Sequence, residues 1–509
     1  MNHQRIFNTL IATLILLLSN CTSSLVVISS DESIAFTILQ INDVYEIAPL
    51  EGGKVAGLAR VASLLHSLEE ENPNTIAVMA GDFLSPTFMN TLKLDDGERI
   101  AGLQMIEALN AMGLDYATFG NHEFDLKTGE LLEKRLAQSK FTYMTSNAFF
   151  QEAEGSRRFR QGTKEIEDYS IFEVKTADGK SMKVAIVGVV LPFNKPDYVT
   201  YTDVNLSFGK AAKRAAEEAD VVLGLTHLNI WEDEELAAVT TTDIPLFMGG
   251  HEHQHLSRFV NETAITKADA NAKTVYVHRF TYFPAADVCK VSSELVNITD
   301  EMSNDPVTQA VVVKWENKIN DMIKGMGYDP KQVLTYINPP LLATEAVIRS
   351  QQTNYGRLTN KAFEYAWPAA HAYVFNSGSL RLDDNLSGDI TAYDILRSFP
   401  YGGPIVQIEI QGNQLQQLLD ISEDQNKGAG GYLQHLFVKK EGTQWTIRDQ
   451  PLLVDQTYRI VMPAFLAAGR EANLEFLGEL PKTEKEKLSV NGREIKNDIR
   501  DILINYLMK

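Results

Sequence analysis

Short apolar runs recur along this chain, and each gives way to polar residues at its end. Ala35-Phe36-Thr37-Ile38-Leu39-Gln40-Ile41 ends in Asn42-Asp43, and Thr75-Ile76-Ala77-Val78-Met79-Ala80 ends in Gly81-Asp82. Tyr116-Ala117-Thr118-Phe119 ends in Gly120-Asn121-His122-Glu123-Phe124-Asp125. Their length and β-branched or aromatic content predict buried strands. Between them the spacing changes to that of a helix, with Leu58, Val61, Leu64, Leu65 and Leu68 on one face of residues 57–69. Residues 100–112 read the same way. Further apolar runs at 184–190, 221–225 and 244–248 continue the alternation, which predicts an α/β architecture.

Asn304-Asp305-Pro306 has the capping residues and first-turn proline of a helix start, and that helix is expected to run to about Lys324. Asn338-Pro339-Pro340 then interrupts the chain, which places a boundary there. The expected divisions are a leader at 1–21, a tether at 22–33, a first domain at 34–300, a linker helix at 301–340 and a second domain at 341–509.

The polar residues after the strands change the picture from fold to chemistry. Asp43, Asp82, Asn121, His122, His227 and the group Gly249-Gly250-His251-Glu252-His253 all follow apolar runs. Open α/β sheets place their sites at such strand ends. Oxygen and imidazole donors without a thiolate suit Mn, Zn, Mg or Fe rather than a closed structural zinc site. One such residue alone is ordinary loop polarity; five successive strand ends are not. Within the Gly120 segment, an amide, an imidazole and two carboxylates suit metal holding and proton transfer.

The chain has 509 residues, 44% hydrophobic and 22% charged, which fits a soluble protein of two or three domains. Its net charge of -20 disfavours nucleic acid as a partner. An anionic substrate therefore needs a local positive site, most simply metal ions. At the N-terminus, His3 and Arg5 precede an apolar core over 6–18, too short to span a bilayer. Leu18-Ser19-Asn20-Cys21 resembles a lipobox, although Asn20 replaces its usual small residue. Export to the periplasm or cell surface is expected, with a lipid anchor at Cys21 or an ordinary cleaved leader. Cys289, the only other cysteine, lies in an apolar-alternating run and reads as a strand residue.

In this order the blocks Asn42-Asp43, Gly81-Asp82-Phe83-Leu84-Ser85-Pro86, Gly120 to Asp125, His227 and Gly249 to His253 resemble the calcineurin-like metallophosphoesterases, and more narrowly the bacterial 5'-nucleotidase/UDP-sugar hydrolase group. The resemblance implies a four-layer catalytic domain of two mixed sheets flanked by helices, followed by an α/β substrate-binding domain. It implies two divalent ions: Asp82 bridging, Asp43 and His253 on one, and Asn121, His227 and His251 on the other. His122, oriented by Asp125, would serve the leaving oxygen. In the second part, Arg349 within Ile348 to Leu358, and Asn376-Ser377-Gly378-Ser379-Leu380-Arg381, match substrate-binding blocks. These imply Arg349, Asn376, Gly378 and Arg381 as contacts, with Tyr401 as one of two aromatic rings around a base.

Three positions depart from that pattern. Tyr45 stands where the family has a histidine, which implies a weaker first metal site. Glu345 stands where a second arginine belongs. The Gly-Gly-Asp-Gly-aromatic block reads Gly469-Arg470-Glu471-Ala472-Asn473, leaving Phe465 or Phe476 as the second ring. The implied function is an exported phosphate monoester hydrolase, 5'-nucleotidase-like and serving nucleotide catabolism. The alternatives are a phosphatase for a sugar or glycerate phosphate, a non-catalytic surface binding protein, and a zinc metalloprotease. The protease follows from His251-Glu252-His253-Gln254-His255, and requires those residues to form a helix.

Overall fold

The computed structural model describes residues 33–490 and 492–509. The expected leader at 1–21 with its Cys21, and all but the last residue of the tether, lie outside the described residues. Among the described residues no helix is long and apolar enough to cross a membrane.

The first part is built on two six-stranded sheets. One runs in the order Val288–Asn297, Thr274–Phe283, Ile34–Ile41, Thr75–Ala80, Tyr116–Thr118 and Thr142–Met144. The other runs Leu256–Val260, Thr263–Lys267, Leu246–Gly249, Val221–His227, Ser181–Val190 and Tyr169–Lys175. The strands bearing the polar clusters pair in parallel with one another. The two-residue period of a strand assigns each side chain to a layer. Phe36 and Ile38 join Val78, Ile186 and Leu225 in the core between the sheets. Leu39 and Ile41 point the other way, onto helices Leu58–Glu71 and Leu103–Met112. The second sheet is covered by helices Val204–Ala216 and Ile230–Val239 through Phe208, Ala211 and Leu236. The central strands of each sheet are thus buried on both faces, which is why they read as near-continuous apolar runs, whereas the edge strands Leu256–Val260 and Val288–Asn297 stay largely exposed.

Helix Pro306–Gly325 starts where the capping pattern placed it, with the Asp305 carboxylate accepting from Thr308 N–H at 2.7 Å. It packs Trp315, Ile319 and Ile323 onto the first part, and Trp315 Nε1 donates to Glu107 at 2.8 Å. The strand Val333–Leu341 then pairs with Leu386–Thr391, carrying Asn338-Pro339-Pro340 along with it. The second part centres on a five-stranded sheet in the order Leu433–Leu436, Ala372–Asn376, Thr457–Pro463, Ile405–Gln411 and Lys482–Thr483. Helices Asn354–Ala366 and Gly412–Asp424 cover it. Cys289 is a half-buried strand residue whose thiol burial pushes up to about 12, so it is no nucleophile at neutral pH.

Candidate metal centre and substrate cleft

The parallel strands end together, so their C-terminal residues converge at one edge of the sandwich. Asp43, Asp82 and Asn121 follow three strands of the first sheet; His227 ends a strand of the second, and His251 and His253 follow its neighbour. Their donor atoms form two close groups that share Asp82. One contains Asp82, His227 and His251; the other contains Asp43, Asp82 and His253. Asn121 Oδ1 lies 3.1 Å from His251 Nδ1 and so joins the first group. Four of the six, Asp43, Asp82, His251 and His253, have φ between 52° and 95°, a region that non-glycine residues rarely enter. Such strain persists where function holds it in place.

The electrostatics of this cluster call for a cation. His227 donates Nδ1–H to the Ala80 carbonyl at 2.7 Å, which leaves an Nε2 lone pair facing Asp82 Oδ2 at 3.2 Å. Asp43 Oδ1 and His227 Nε2 are buried with no hydrogen-bond partner. Acceptors facing acceptors in a buried site need a positive charge between them. Burial opposes protonation of His227, but Asp82 and Asp43 outweigh it and lift the imidazole to about 9, so a proton there stands in for a cation. Burial, with His227 beside it, pushes His251 down to about 3 and keeps it neutral, as a ligand must be. The donor set thus fits two divalent ions.

Tyr45 points into the centre. Its hydroxyl donates to Asp82 Oδ2 at 3.2 Å and lies 2.8 Å from His253 Nε2. Burial and the carboxylates of Asp82 and Asp43 hold its pKa well above the usual tyrosine value, so it offers a neutral oxygen.

The turn Asn121–Asp125 carries His122 and Asp125. His122 Nδ1 lies 2.6 Å from Asp125 Oδ2, and Asp125 Oδ1 accepts from Asn194 Nδ2 at 2.5 Å. The other ring nitrogen, Nε2, lies 2.8 Å from Arg381 Nη2 of the second part. Glu123 turns inward: one carboxylate oxygen accepts from Asp82 N–H (2.8 Å) and Gly120 N–H (2.6 Å), the other from Phe83 (2.8 Å) and Leu84 (2.9 Å). Gly120 passes so close to Asp82 that a Cβ there would overlap Asp82 Oδ1. Gly120→Ala is accordingly expected to strip most bound metal from purified protein while leaving its circular dichroism unchanged; full metal content would refute that reading of the close approach.

The segment 251–255 contains no helix, so the geometry a zinc protease needs is absent from it. Glu252 instead pairs with buried Lys267 at 2.5 Å, and Lys267 pairs with Asp233 at 2.8 Å, which pins the loop from below. His255 is exposed and lies 2.7 Å from Tyr276 Oη.

A cavity of about 880 Å³ opens above the cluster, between the two parts. Asp82, Asn121, His122, His251 and His253 line one wall, and all six expected substrate contacts, Arg349, Asn376, Gly378, Arg381, Tyr401 and Phe465, line the other. Tyr401 is 57% exposed and Phe465 is 48% exposed, whereas Phe476 packs onto the second part's core. Glu345 holds Arg349 at 2.5 Å and approaches Arg381 at 3.6 Å. Asn376 Nδ2 donates to Glu471 at 2.8 Å, and Asn473 turns to Asn426 at 2.8 Å. Sequence reasoning gave no role to Asn194, Lys267 or Asp383, which carried no local signal. Glu123, one of the two carboxylates of the Gly120 segment read as suiting metal holding or proton transfer, instead accepts backbone N–H groups.

Residues 36–255 match the family of calcineurin-like phosphoesterases, and residues 333–477 match the 5'-nucleotidase C-terminal domain. A 5'-nucleotidase of Vibrio cholerae is 24% identical, covering 86% of this chain and 86% of its own. Among solved structures, a 5'-nucleotidase precursor from Thermus thermophilus superposes with a TM-score of 0.73 at 19% identity, over 93% of this chain and 96% of its own. A sulfate thiohydrolase from Thermus thermophilus gives 0.67 at 15% identity, over 93% of each. The last two share the fold. With both family matches in sequence order and the strand-end cluster within the first, the chain belongs to the calcineurin-like phosphoesterases that carry a 5'-nucleotidase C-terminal domain.

Proposed function

We propose that this protein is an exported, 5'-nucleotidase-like phosphoesterase that hydrolyses phosphate monoesters with the aid of two divalent ions. The observation that carries the reading is the pair of donor groups sharing Asp82 beside the His122–Asp125 pair. Asp43, Asp82, Asn121, His227, His251 and His253 would hold the ions. Divalent ions so held supply Lewis acidity toward phosphoryl oxygens and acidify an attacking water.

The chain's own groups account for the rest. Asp125 fixes His122 as the tautomer with Nδ1–H, leaving Nε2 toward the cleft. In the geometry described, Nε2 accepts from Arg381, so a proton on Nε2 requires that guanidinium to move to another acceptor. A substrate phosphate offers one; Nε2, freed by binding, would then take up a proton from solvent and pass it to the leaving oxygen. Arg349 and Arg381 supply planar donor forks suited to anionic oxygens. Tyr401 supplies a ring face for a base.

A second reading, a phosphatase for a sugar or glycerate phosphate, is favoured by the far wall. Glu345 offsets the charge of the two arginines, and Asn473 occupies the place of the family's second ring. A phosphate-release panel of nucleotides, nucleotide sugars and sugar phosphates, run with Mn²⁺, Mg²⁺ or Zn²⁺ and with a chelator, tests both. Release that persists after exhaustive chelation would refute the metal-dependent reading, and silence throughout would favour a binding protein. Export and anchoring rest on residues 1–21, and the mass of the mature N-terminus tests processing at Cys21.

The neutral oxygen of Tyr45 leaves the Asp43–His253 position short of one strong donor. Tyr45→His is expected to raise metal affinity at that position about tenfold or more by calorimetric titration. Unchanged affinity would mean that the tyrosine costs the site nothing.

A further inference from the structure

His253 faces two ways. Its Nε2 looks into the metal centre, 3.4 Å from Asp43 Oδ1, while its Nδ1 leaves the catalytic part altogether. It lies 2.6 Å from Oδ2 of Asp383, a buried residue of the second part that stands in the left-handed region at φ 55°. The Asp383 carboxylate is aimed from behind as well. Its Oδ1 accepts from Glu345 N–H at 3.1 Å, and its own carbonyl accepts from Lys273 Nζ of the first part at 2.7 Å. Two residues earlier, Arg381 reaches His122 at 2.8 Å, so one short loop touches both sides of the centre.

Asp383, Glu345 and His253 also present donor atoms within 4.8 Å of one another, which raises the alternative of a separate ion site. The geometry speaks against it. Both Asp383 oxygens already accept hydrogen bonds, and Glu345 commits an oxygen to Arg349 at 2.5 Å. The Asp383–His253 contact is instead that of a carboxylate orienting a histidine from behind. An imidazole that donates Nδ1–H to a carboxylate keeps its Nε2 lone pair free and is held in one ring orientation.

We infer that Asp383 is a positioning residue for the metal centre: the substrate-binding part supplies the carboxylate that fixes His253 toward the ion shared with Asp43 and Asp82. This inference rests on the two-ion reading above and goes beyond it, because it makes one metal position depend on a residue of the other domain. The sequence separation of 130 residues between the partners hides the arrangement from any local motif.

Calorimetric titration of metal-stripped protein with Mn²⁺ tests it without recourse to activity. Wild type should bind two ions. Asp383→Ala should weaken one of them about 10–100-fold and leave the other unchanged. Asp383→Asn, whose amide oxygen still accepts from Nδ1–H, should fall between the two. Lys273→Met removes the neighbouring contact between the parts but keeps the carboxylate, and should change affinity far less. Metal-free melting curves of the three variants identify any loss that comes from misfolding, and Asp383→Asn is the variant read if Asp383→Ala melts early. Two wild-type affinities in both Asp383 variants would overturn the inference alone. Equal loss in Lys273→Met would assign the effect to docking of the parts and also overturn it. A wild type that binds no ion would overturn the two-ion reading itself.

Discussion

Replacing His122 with alanine is expected to slow phosphate release by about 10²- to 10⁴-fold, the span attributed to a positioned general acid. Metal content and melting temperature should stay as in the wild type. The argument lies in what the ring touches. Nδ1 contacts Asp125, and Nε2 contacts Arg381 at the cleft, so neither nitrogen contacts a candidate ligand. The backbone N–H of His122, which donates to Asp82 Oδ1 at 2.7 Å, survives the substitution. The loss should therefore fall on kcat for substrates with poor leaving groups and shrink for an activated aryl phosphate, whose leaving oxygen needs no proton. Asn121→Ala should differ by lowering metal content as well. Full activity in both variants would sink the proposed mechanism, and loss of metal in His122→Ala would reassign that residue to the metal centre.

The parts of this site that could be read in the sequence share a physical property. Asp43, Asp82, Asn121, His227 and His251 each follow a short continuous apolar run, so an apolar run ending in a donor marks them before any fold is known. Parallel strands in a covered sheet must end at the same edge, which brings those donors together. The pattern itself reaches only an α/β architecture; the four layers are implied by the family resemblance, and strands apolar on both faces, which need cover on both, agree with them. What local pattern does not carry is the other side of the cleft. Asp383 reaches His253 and Arg381 reaches His122 across 130 and 259 positions, and such contacts depend on how the two parts dock. Lys267 is hidden for another reason. A lysine inside a strand reads as a solvent-facing residue, yet here it is buried and paired with Asp233 and Glu252. Phe465 and Phe476 were indistinguishable by composition, and exposure separates them.

Glu123 is the residue whose replacement should cost the fold most near the site. It is fully buried, and its two oxygens accept four backbone N–H groups, from Asp82, Phe83, Leu84 and Gly120. Burial and the neighbouring Asp82 push its carboxyl up to about 7, while the N–H groups of Leu84, Phe83 and Gly120 pull the other way. Those donors belong to the two loops that carry Asp82 and Asn121, so one side chain ties together the metal-bearing ends of adjacent strands. Glutamine has almost the same shape but only one acceptor oxygen; its amide nitrogen would face two N–H donors. Leaving a buried donor unpaired costs about 1–3 kcal/mol, so with two left unpaired Glu123→Gln should lose roughly 2–6 kcal/mol of stability. A urea midpoint lowered at unchanged slope would register that loss. Metal affinity should fall with it, because the Asp82 backbone is held by the same carboxylate. A variant with the wild-type midpoint and full metal content would show that the loops hold their course without the tie, and that the strained φ of Asp82 is maintained by the strands alone.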